Sequence, residues 1–402
     1  LYSYPMTVSK YEQINGDVLI YSNSPISPSG YGRQTAQLVE KMKRHGINVA
    51  VSCNFGQQGD FGTYKTKHGD VTLYPQGYVG YSQEMIAPNF QHFTRDSDRP
   101  GMVLTLFDTW ILNDQRDLDK LNIHSWTPVD HTFLVEGVRQ WLTKDNVKPI
   151  AMSPDGQQQM KQMGIEAPYI PHTIDATIYK PGQKIDGGTG REFLKVPEDA
   201  YVFGMVSANK ANKYIHRKAF AEAIMAFSFH VKENPNSYLY IHSEWSAATG
   251  GFDLMRLLKI HGVPLDNVRF PDNLRFRYGF TDKEMAAIYE GIDCLFAPSY
   301  GEGFMVPLIE AQSLGCRVIT VNYTAPKDLV GEDSIKVDGQ PLWDEILGSF
   351  FMVPSVAQLT KALNEMAQTK GRSKANMEFA KQFNIETVWR DKWMPYLKEH
   401  LK

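Results

Sequence analysis

The stretch that most restricts how this chain can fold runs from Cys294 to Val321. Cys294-Leu-Phe-Ala-Pro298 is a short apolar run of buried-strand type, and Arg317-Val-Ile-Thr-Val321 is a second. Between them lies Ser299-Tyr-Gly-Glu-Gly-Phe-Met-Val-Pro-Leu-Ile-Glu-Ala-Gln-Ser-Leu-Gly315, which reads as a loop and then a helix. Gly301 and Gly303 let the loop bring backbone N–H groups close to something bulky. Pro307 suits a first helical turn whose free donors and positive dipole end face the same space, which makes it an anion site. Glu302 sits in the loop and Glu310 on the helix, about one turn beyond Pro307, so the two carboxylates can reach different parts of one ligand. An anion-binding turn flanked by two hydroxyl acceptors suits a sugar nucleotide. The plainer reading is a helix with one solvated and one capping glutamate.

Strand and helix patterns alternate elsewhere too, which predicts parallel α/β sheets. Asp17-Val-Leu-Ile-Tyr21 reads as a strand, Ser22 to Gly32 as a loop, and Gln34 to His45-Gly46 as a helix with Ala36, Leu38, Val39 and Met42 on its apolar face. Ile47 to Val51 completes a βαβ opening. Met102-Val-Leu-Thr-Leu-Phe107 is a buried strand that delivers Asp108-Thr-Trp110 at its carboxyl end, where open α/β sheets bind ligands. Asp108 can face a sugar or an incoming hydroxyl, with Trp110 as a stacking platform; equally, Asp108 can cap a helix. His124 to Thr132 is a second polar and aromatic edge, in which Asp130 and His131 are candidates for acceptor contacts or for ordinary loop hydrogen bonds.

The second half opens with Tyr201-Val-Phe-Gly-Met-Val206, a polar loop, and a helix carrying Phe220, Ile224, Phe227 and Val231 on one face. Arg217 and Lys218 at the start of that helix aim two cations at a diphosphate, unless they form a solvated basic loop. Tyr238 to His242, Asn267 to Phe270 and the amphipathic run Asp282 to Ile292 continue the alternation. Ser355 is expected to cap a helix through Val356, Leu359, Leu363 and Met366. Ile385, Val388, Trp389 and Trp393 have helical spacing, with Pro395 expected to bend or end that helix.

The stretch Gly-Glu-Gly-Phe-Met-Val-Pro-Leu-Ile-Glu-Ala, with seven residues between Glu302 and Glu310, closely resembles the signature of retaining glycosyltransferases of family 4, which have the GT-B fold. The resemblance implies that Glu302 faces the donor sugar and that Gly303, Phe304, Met305 and Val306 offer backbone N–H groups to sugar and phosphate. It implies that Glu310 holds the ribose. Ser29-Gly-Tyr-Gly-Arg33 is similar to the Gly-Gly-x-Gly-Arg loop of that family, which approaches the donor phosphates. Ser29 replaces its first glycine, leaving Gly30 for close approach, with Gly32 and Arg33 in support. As a dinucleotide fingerprint the same stretch fails, because Thr35 stands where the third glycine belongs. Lys218 matches the lysine that stabilises the departing nucleotide. Arg217 matches less well, since relatives often keep the arginine earlier, where this chain has Asn209 and Lys213. Ser299 and Asn209 complete the donor-side set, and Pro171-His-Thr-Ile-Asp175 resembles a Pro-His-Gly-x-Asp turn with Thr173 in place of glycine.

The resemblance thus implies an α/β chain of two Rossmann-like parallel-sheet domains facing across a cleft. The expected divisions are 1–181 on the acceptor side, 182–382 for the nucleotide sugar, with Gly182 to Arg191 as linker, and a C-terminal helix over 383–402 returning to the first domain. A hexosyl group would pass from a nucleoside-diphosphate sugar, UDP-linked by preference, to the hydroxyl of an unspecified acceptor: a glycan, lipid, small molecule, protein or modified DNA base. Neither metal nor other cofactor is expected; Asp96-Ser-Asp98, which imitates a metal motif, reads as solvated ion pairing with Arg95 and Arg99. A sugar-nucleotide 2-epimerase of the same fold and a non-catalytic sugar-nucleotide-binding protein are the rival readings, and a nicotinamide oxidoreductase is disfavoured by the broken glycine pattern.

The balance of charge and apolar content narrows partners. The 402 residues carry a formal charge of −3, so no overall attraction to nucleic acid or anionic lipid follows. Lys41, Lys43, Arg44 and His45 make one helix end basic; contact with membrane or DNA there competes with simple complementing of the helix C-terminus. The three cysteines, Cys53, Cys294 and Cys316, are expected as buried reduced thiols. With no basic-then-apolar leader pattern and no apolar segment near the ~20 residues of a membrane helix, a cytoplasmic protein without an obligate protein partner is the expectation.

Overall fold

The computed structural model describes residues 11–211 and 215–402. In its first half, strands β1 (Asp17–Asn23), β2 (Asn48–Phe55), β3 (Gly62–Thr66), β4 (Gly69–Tyr74), β5 (Gly101–Thr105), β6 (Ile123–Thr127) and β7 (Val147–Ala151) form a seven-stranded sheet in the order β3-β4-β2-β1-β5-β6-β7. All neighbours are parallel except the β3–β4 hairpin at one edge. In the second half, β8 (Tyr201–Val206), β9 (Ser237–His242), β10 (Val268–Arg269), β11 (Cys294–Ala297), β12 (Arg317–Val321) and β13 (Ser334–Val337) form a parallel six-stranded sheet, β10-β9-β8-β11-β12-β13. Each sheet reverses its strand order once, beside β1 and beside β8, and such reversals open a crevice at the carboxyl ends of the strands.

The first helix, Gly30–Arg44, starts four residues before the expected Gln34, because Ser29 caps it by accepting from the Gly32 N–H. Ser355 caps the helix Val356–Met366 as its spacing predicts. Both strands of the Cys294–Val321 unit are buried and pair in parallel, with the helix Val306–Ser313 between them.

The last segment crosses back to the first sheet. Trp393 packs edge-on against Trp126 of β6 with ring centroids 4.9 Å apart, and Ile385 bonds to the Ile174 backbone. Trp389 and Trp393 are buried in an apolar cluster that runs from the first sheet into the second; truncating either to alanine costs about 3–5 kcal/mol. Pro395 does not end this helix. A π-type turn at Trp389–Trp393 precedes it and the helix runs on to His400, the wider turn accommodating the missing N–H and the bulk of the proline ring.

Three further features bear on the sequence reading. The basic helix end is occupied within the chain: Lys41 and Arg44 both pair with Glu386 of the returning segment, and Lys41 is buried. Gly182–Arg191 is a docked segment, where Gly182 donates to Glu290 and Gly190 lies against Ala287 and Gly291 with no room for a Cβ. Residues 339–354, given no element by their sequence, form an antiparallel hairpin of β14 (Gly339–Asp344) and β15 (Ser349–Pro354). The hairpin reaches across to the first sheet, exchanging backbone hydrogen bonds between Phe350 and Thr132. All three cysteines are buried and free, and among the described residues no helix is long and apolar enough to cross a membrane.

Candidate active site

A cavity of about 620 Å³ lies between the carboxyl ends of the two sheets, lined by Gly30, Asp108, Trp110, Asp130, His131, Arg217, Lys218, Met305 and the hairpin residues Asp344 and Phe351, among others. The loop Glu302–Met305 forms one wall. Among the described residues the N–H groups of Gly303, Phe304 and Met305 have no backbone partner, and Met305 takes a left-handed φ of 79° immediately before the helix Val306–Ser313. Three adjacent free donors and a helix N-terminus converge on one space, which is an anion-binding geometry. The glycines are needed for close packing: a Cβ on Gly301 would lie 2.1 Å from the Asp130 carbonyl oxygen, and one on Gly303 2.5 Å from Pro128 Cβ. Both neighbours belong to the opposite wall, so the loop can sit that close only without side chains at these positions.

Glu302 is buried and held by two cations. Arg217 donates to one carboxylate oxygen at 2.8 Å, and to the Gly301 carbonyl at 2.8 Å; Lys218 donates to the other oxygen. Burial pushes the Glu302 pKa up, but Arg217 and Lys218 outweigh it and hold the group at about 2. Burial and the neighbouring Arg217 pull the Lys218 pKa below its usual value, against the opposing pull of Glu302. Glu302 thus sits ion-paired with both basic side chains beside the free N–H donors.

On the facing wall Gly30 has open space in front of its Cα, as close approach requires. Gly32 instead packs against the backbone of the preceding turn, where a Cβ would lie 2.5 Å from the Ser27 carbonyl oxygen and 2.8 Å from that of Ser24. Gly32 therefore serves the tight turn and not the cavity. Asp108 precedes the 3-10 turn Thr109–Leu112 but makes no capping bond. Its carboxylate has no hydrogen-bond partner among the described residues, and burial, followed by the charge of Asp130, raises its pKa to about 6. Trp110 stands beside it, 37% exposed, with Tyr81 edge-on at 6.5 Å.

His131 lies between two carboxylates. Its Nδ1 is 2.6 Å from Asp130 and its Nε2 3.2 Å from Asp344 of the hairpin. Burial pulls the His131 pKa down, but the two acids outweigh it and raise it above the ordinary value. The two acids fix the ring in place, and its centroid lies 3.8 Å from that of Phe351 in a tilted arrangement.

Several expected site residues stand elsewhere. Glu310 does not line the cavity: its two oxygens accept from Tyr179 and Tyr289, each at 2.7 Å, and Arg33 approaches at 3.4 Å. Arg33 itself faces Glu310, Asp282 and the Phe280 carbonyl, away from the cavity. Ribose contact by Glu310 would require the two tyrosines to let go. Asn209 is buried, ties down the loop after β9 by donating to the Glu244 and Phe252 carbonyls and bonds to His216 within its own loop, and Ser299 is buried beneath the loop. The Phe304 ring packs inward on His172 and Phe383, leaving only its backbone for a ligand. Lys213 lies outside the described residues. Asp344, Tyr81 and Phe351, unforeseen from the sequence, join the site because of the hairpin and an ordered loop after β4. The Gly348 turn between Leu342-Trp-Asp344 and Ser349-Phe-Phe-Met-Val353 was the available signal for the hairpin.

Residues 216–367 match the family described as glycosyl transferases group 1. Sucrose-phosphate synthase from Thermosynechococcus elongatus has a similar structure, with a TM-score of 0.71 at 16% identity over 95% of this chain and 98% of that one. A glycosyltransferase from Rickettsia africae aligns with a TM-score of 0.67 at 14% identity, over 98% of this chain and 100% of its own. Anabaena HepE in complex with UDP and glucose does so with 0.63 at 14%, over 94% and 98%. No curated protein matches the chain by sequence. The chain has the GT-B fold, and within it residues 216–367 are the part that matches the glycosyl transferases group 1 family.

Proposed function

We propose that the protein is a retaining glycosyltransferase of the family 4 type, moving a hexosyl group from a UDP-sugar to an acceptor hydroxyl. One observation carries this reading: Glu302, clamped by Arg217 and Lys218, lies directly beside the free N–H groups of Gly303 to Met305 in a cavity closed by both sheets. A complex with UDP and glucose in a structure of similar fold supports a UDP-sugar as donor.

In the proposed reaction the bond from the anomeric carbon to the diphosphate oxygen breaks as the acceptor oxygen bonds to that carbon. The acceptor proton leaves with the diphosphate, and the products are the glycoside and UDP. Catalysis is positioning and stabilisation of the departing charge by Arg217, Lys218 and the loop donors. Glu302 orients the donor sugar and holds the two cations in place. Those cations fill the part a metal would otherwise play, so chelation with EDTA is expected to leave turnover unchanged. We assign the acceptor side to residues 1–181, the donor side to 182–382 and the returning helix to 383–402, and place the protein in the cytoplasm.

The test is a panel of nucleotide sugars scored by thermal stabilisation, followed by mass spectrometry of products with mixed acceptors. Stabilisation by UDP-sugars and a product heavier by one hexose support the reading. Stabilisation by none of them refutes it, and a free epimerised sugar nucleotide from donor alone assigns the site to the 2-epimerase reaction instead.

A further inference from the structure

The two walls of the cavity differ in charge. Among the described residues, every arginine or lysine that lines it, Arg217 and Lys218, comes from the second-sheet side, and both are committed to Glu302. The charged residues opposite are Asp108 and Asp130, joined by Asp344 of the hairpin. His131 among them is enclosed by two of these acids and packed in a tilted arrangement against Phe351, so any positive charge on its ring is already matched. An acceptor carrying phosphate or carboxylate would bring its charge to a wall that offers no free cation among the described residues. Desolvating an unpaired anion beside carboxylates is strongly unfavourable.

The same wall offers an aromatic plane. Trp110 is exposed to the cavity side, buttressed by the Tyr81 ring, which in turn packs 5.4 Å from Phe107. The apolar hydrogens of a sugar ring suit such a plane, and carboxylates without partners accept the hydroxyl protons at its edge. Asp108 has the unpartnered carboxylate next to this plane.

Resting on the glycosyltransferase reading, we propose that the acceptor is an uncharged polyhydroxylated ring, such as the non-reducing end of a neutral glycoside, laid on Trp110 with a hydroxyl directed to Asp108. Sugar phosphates and uronic acids are excluded from the acceptor wall by charge.

Saturation-transfer NMR on the whole protein in the presence of UDP tests this, with methyl glucoside, methyl galactoside and methyl mannoside as neutral probes and glucose 6-phosphate and glucuronate as anionic ones. At least one neutral probe is expected to give ring-proton signals that fall at least five-fold in Trp110→Ala, while the UDP signals persist in both proteins. The anionic probes are expected to give none that depend on Trp110. Stronger Trp110-dependent signals from an anionic probe, or no Trp110-dependent signal from any neutral one, overturn the proposal. Loss of the UDP signals in the unaltered protein instead overturns the donor-site reading, so the two failures are distinguishable. Should Trp110→Ala fail to fold, competition settles the question in the unaltered protein: the neutral probes must displace one another and must not be displaced by glucose 6-phosphate.

Discussion

Replacing Lys218 by alanine separates transition-state stabilisation from ground-state binding. The structure indicates why the variant should fold. Glu302 keeps Arg217 at 2.8 Å after the lysine is removed, so its carboxylate is not left as a lone buried charge, which would cost about 3–5 kcal/mol. In the proposed reaction, what is lost is one of the two cations that face the departing diphosphate. At an effective dielectric constant of about 20, a unit charge at about 4 Å is worth about 4 kcal/mol, and the fraction that appears only as the bond breaks lowers the barrier. Removing one such preorganised group typically costs about 10²–10³ in kcat, about 2.7–4 kcal/mol. Lys218→Ala is therefore expected to lower kcat about a hundredfold or more while the Kd for UDP changes less than about tenfold. Lys218→Arg should recover part of the loss, limited by the bulkier planar group. Continuous assay of UDP release gives kcat and KM, and titration calorimetry gives the Kd. A raised donor KM with kcat unchanged would mean that Lys218 only binds the ground state, and the charge argument would fail.

Glu310→Gln should lower the unfolding temperature without any ligand, because one of the two oxygens that accept from Tyr179 and Tyr289 becomes an amide NH2 that cannot accept, at about 1 kcal/mol or more; an unchanged unfolding temperature with only a raised donor KM would support the ribose role. Asp108 has a folded pKa of about 6, above the unfolded carboxyl near 3.8, so the folded protein binds this proton more tightly and stability is lost as pH rises between those values. Accordingly kcat/KM for the acceptor should rise with an inflection near pH 6, and Asp108→Asn should remove the inflection while melting higher than the parent at pH 8 but not at pH 3. Gly303→Ala places a methyl 2.5 Å from Pro128 Cβ, and overpacking of about 1–3 kcal/mol should keep the walls apart, lowering kcat/KM about tenfold or more with an unchanged circular dichroism spectrum.

The alternating runs, the glycine loop between β11 and its helix, and the cap at Ser355 were legible in the chain because each depends on residues a few positions apart. Periodicity, turn chemistry and capping are local, and they determined two parallel sheets and an anion-binding wall with Glu302, Arg217 and Lys218 beside it. Which groups then occupy each charge was decided by packing between distant segments. Tyr179 meets Glu310 across 131 residues, Lys41 meets Glu386 across 345, and His131 meets Asp344 across 213. No periodicity encodes those meetings, since a carboxylate is equally ready for a ribose, a tyrosine or an arginine. Only the closing of the two sheets and the reach of the hairpin selected the partner, so the sequence by itself specified the scaffold and the glycine loop, while the tertiary structure decided which acids were left free to face the cavity.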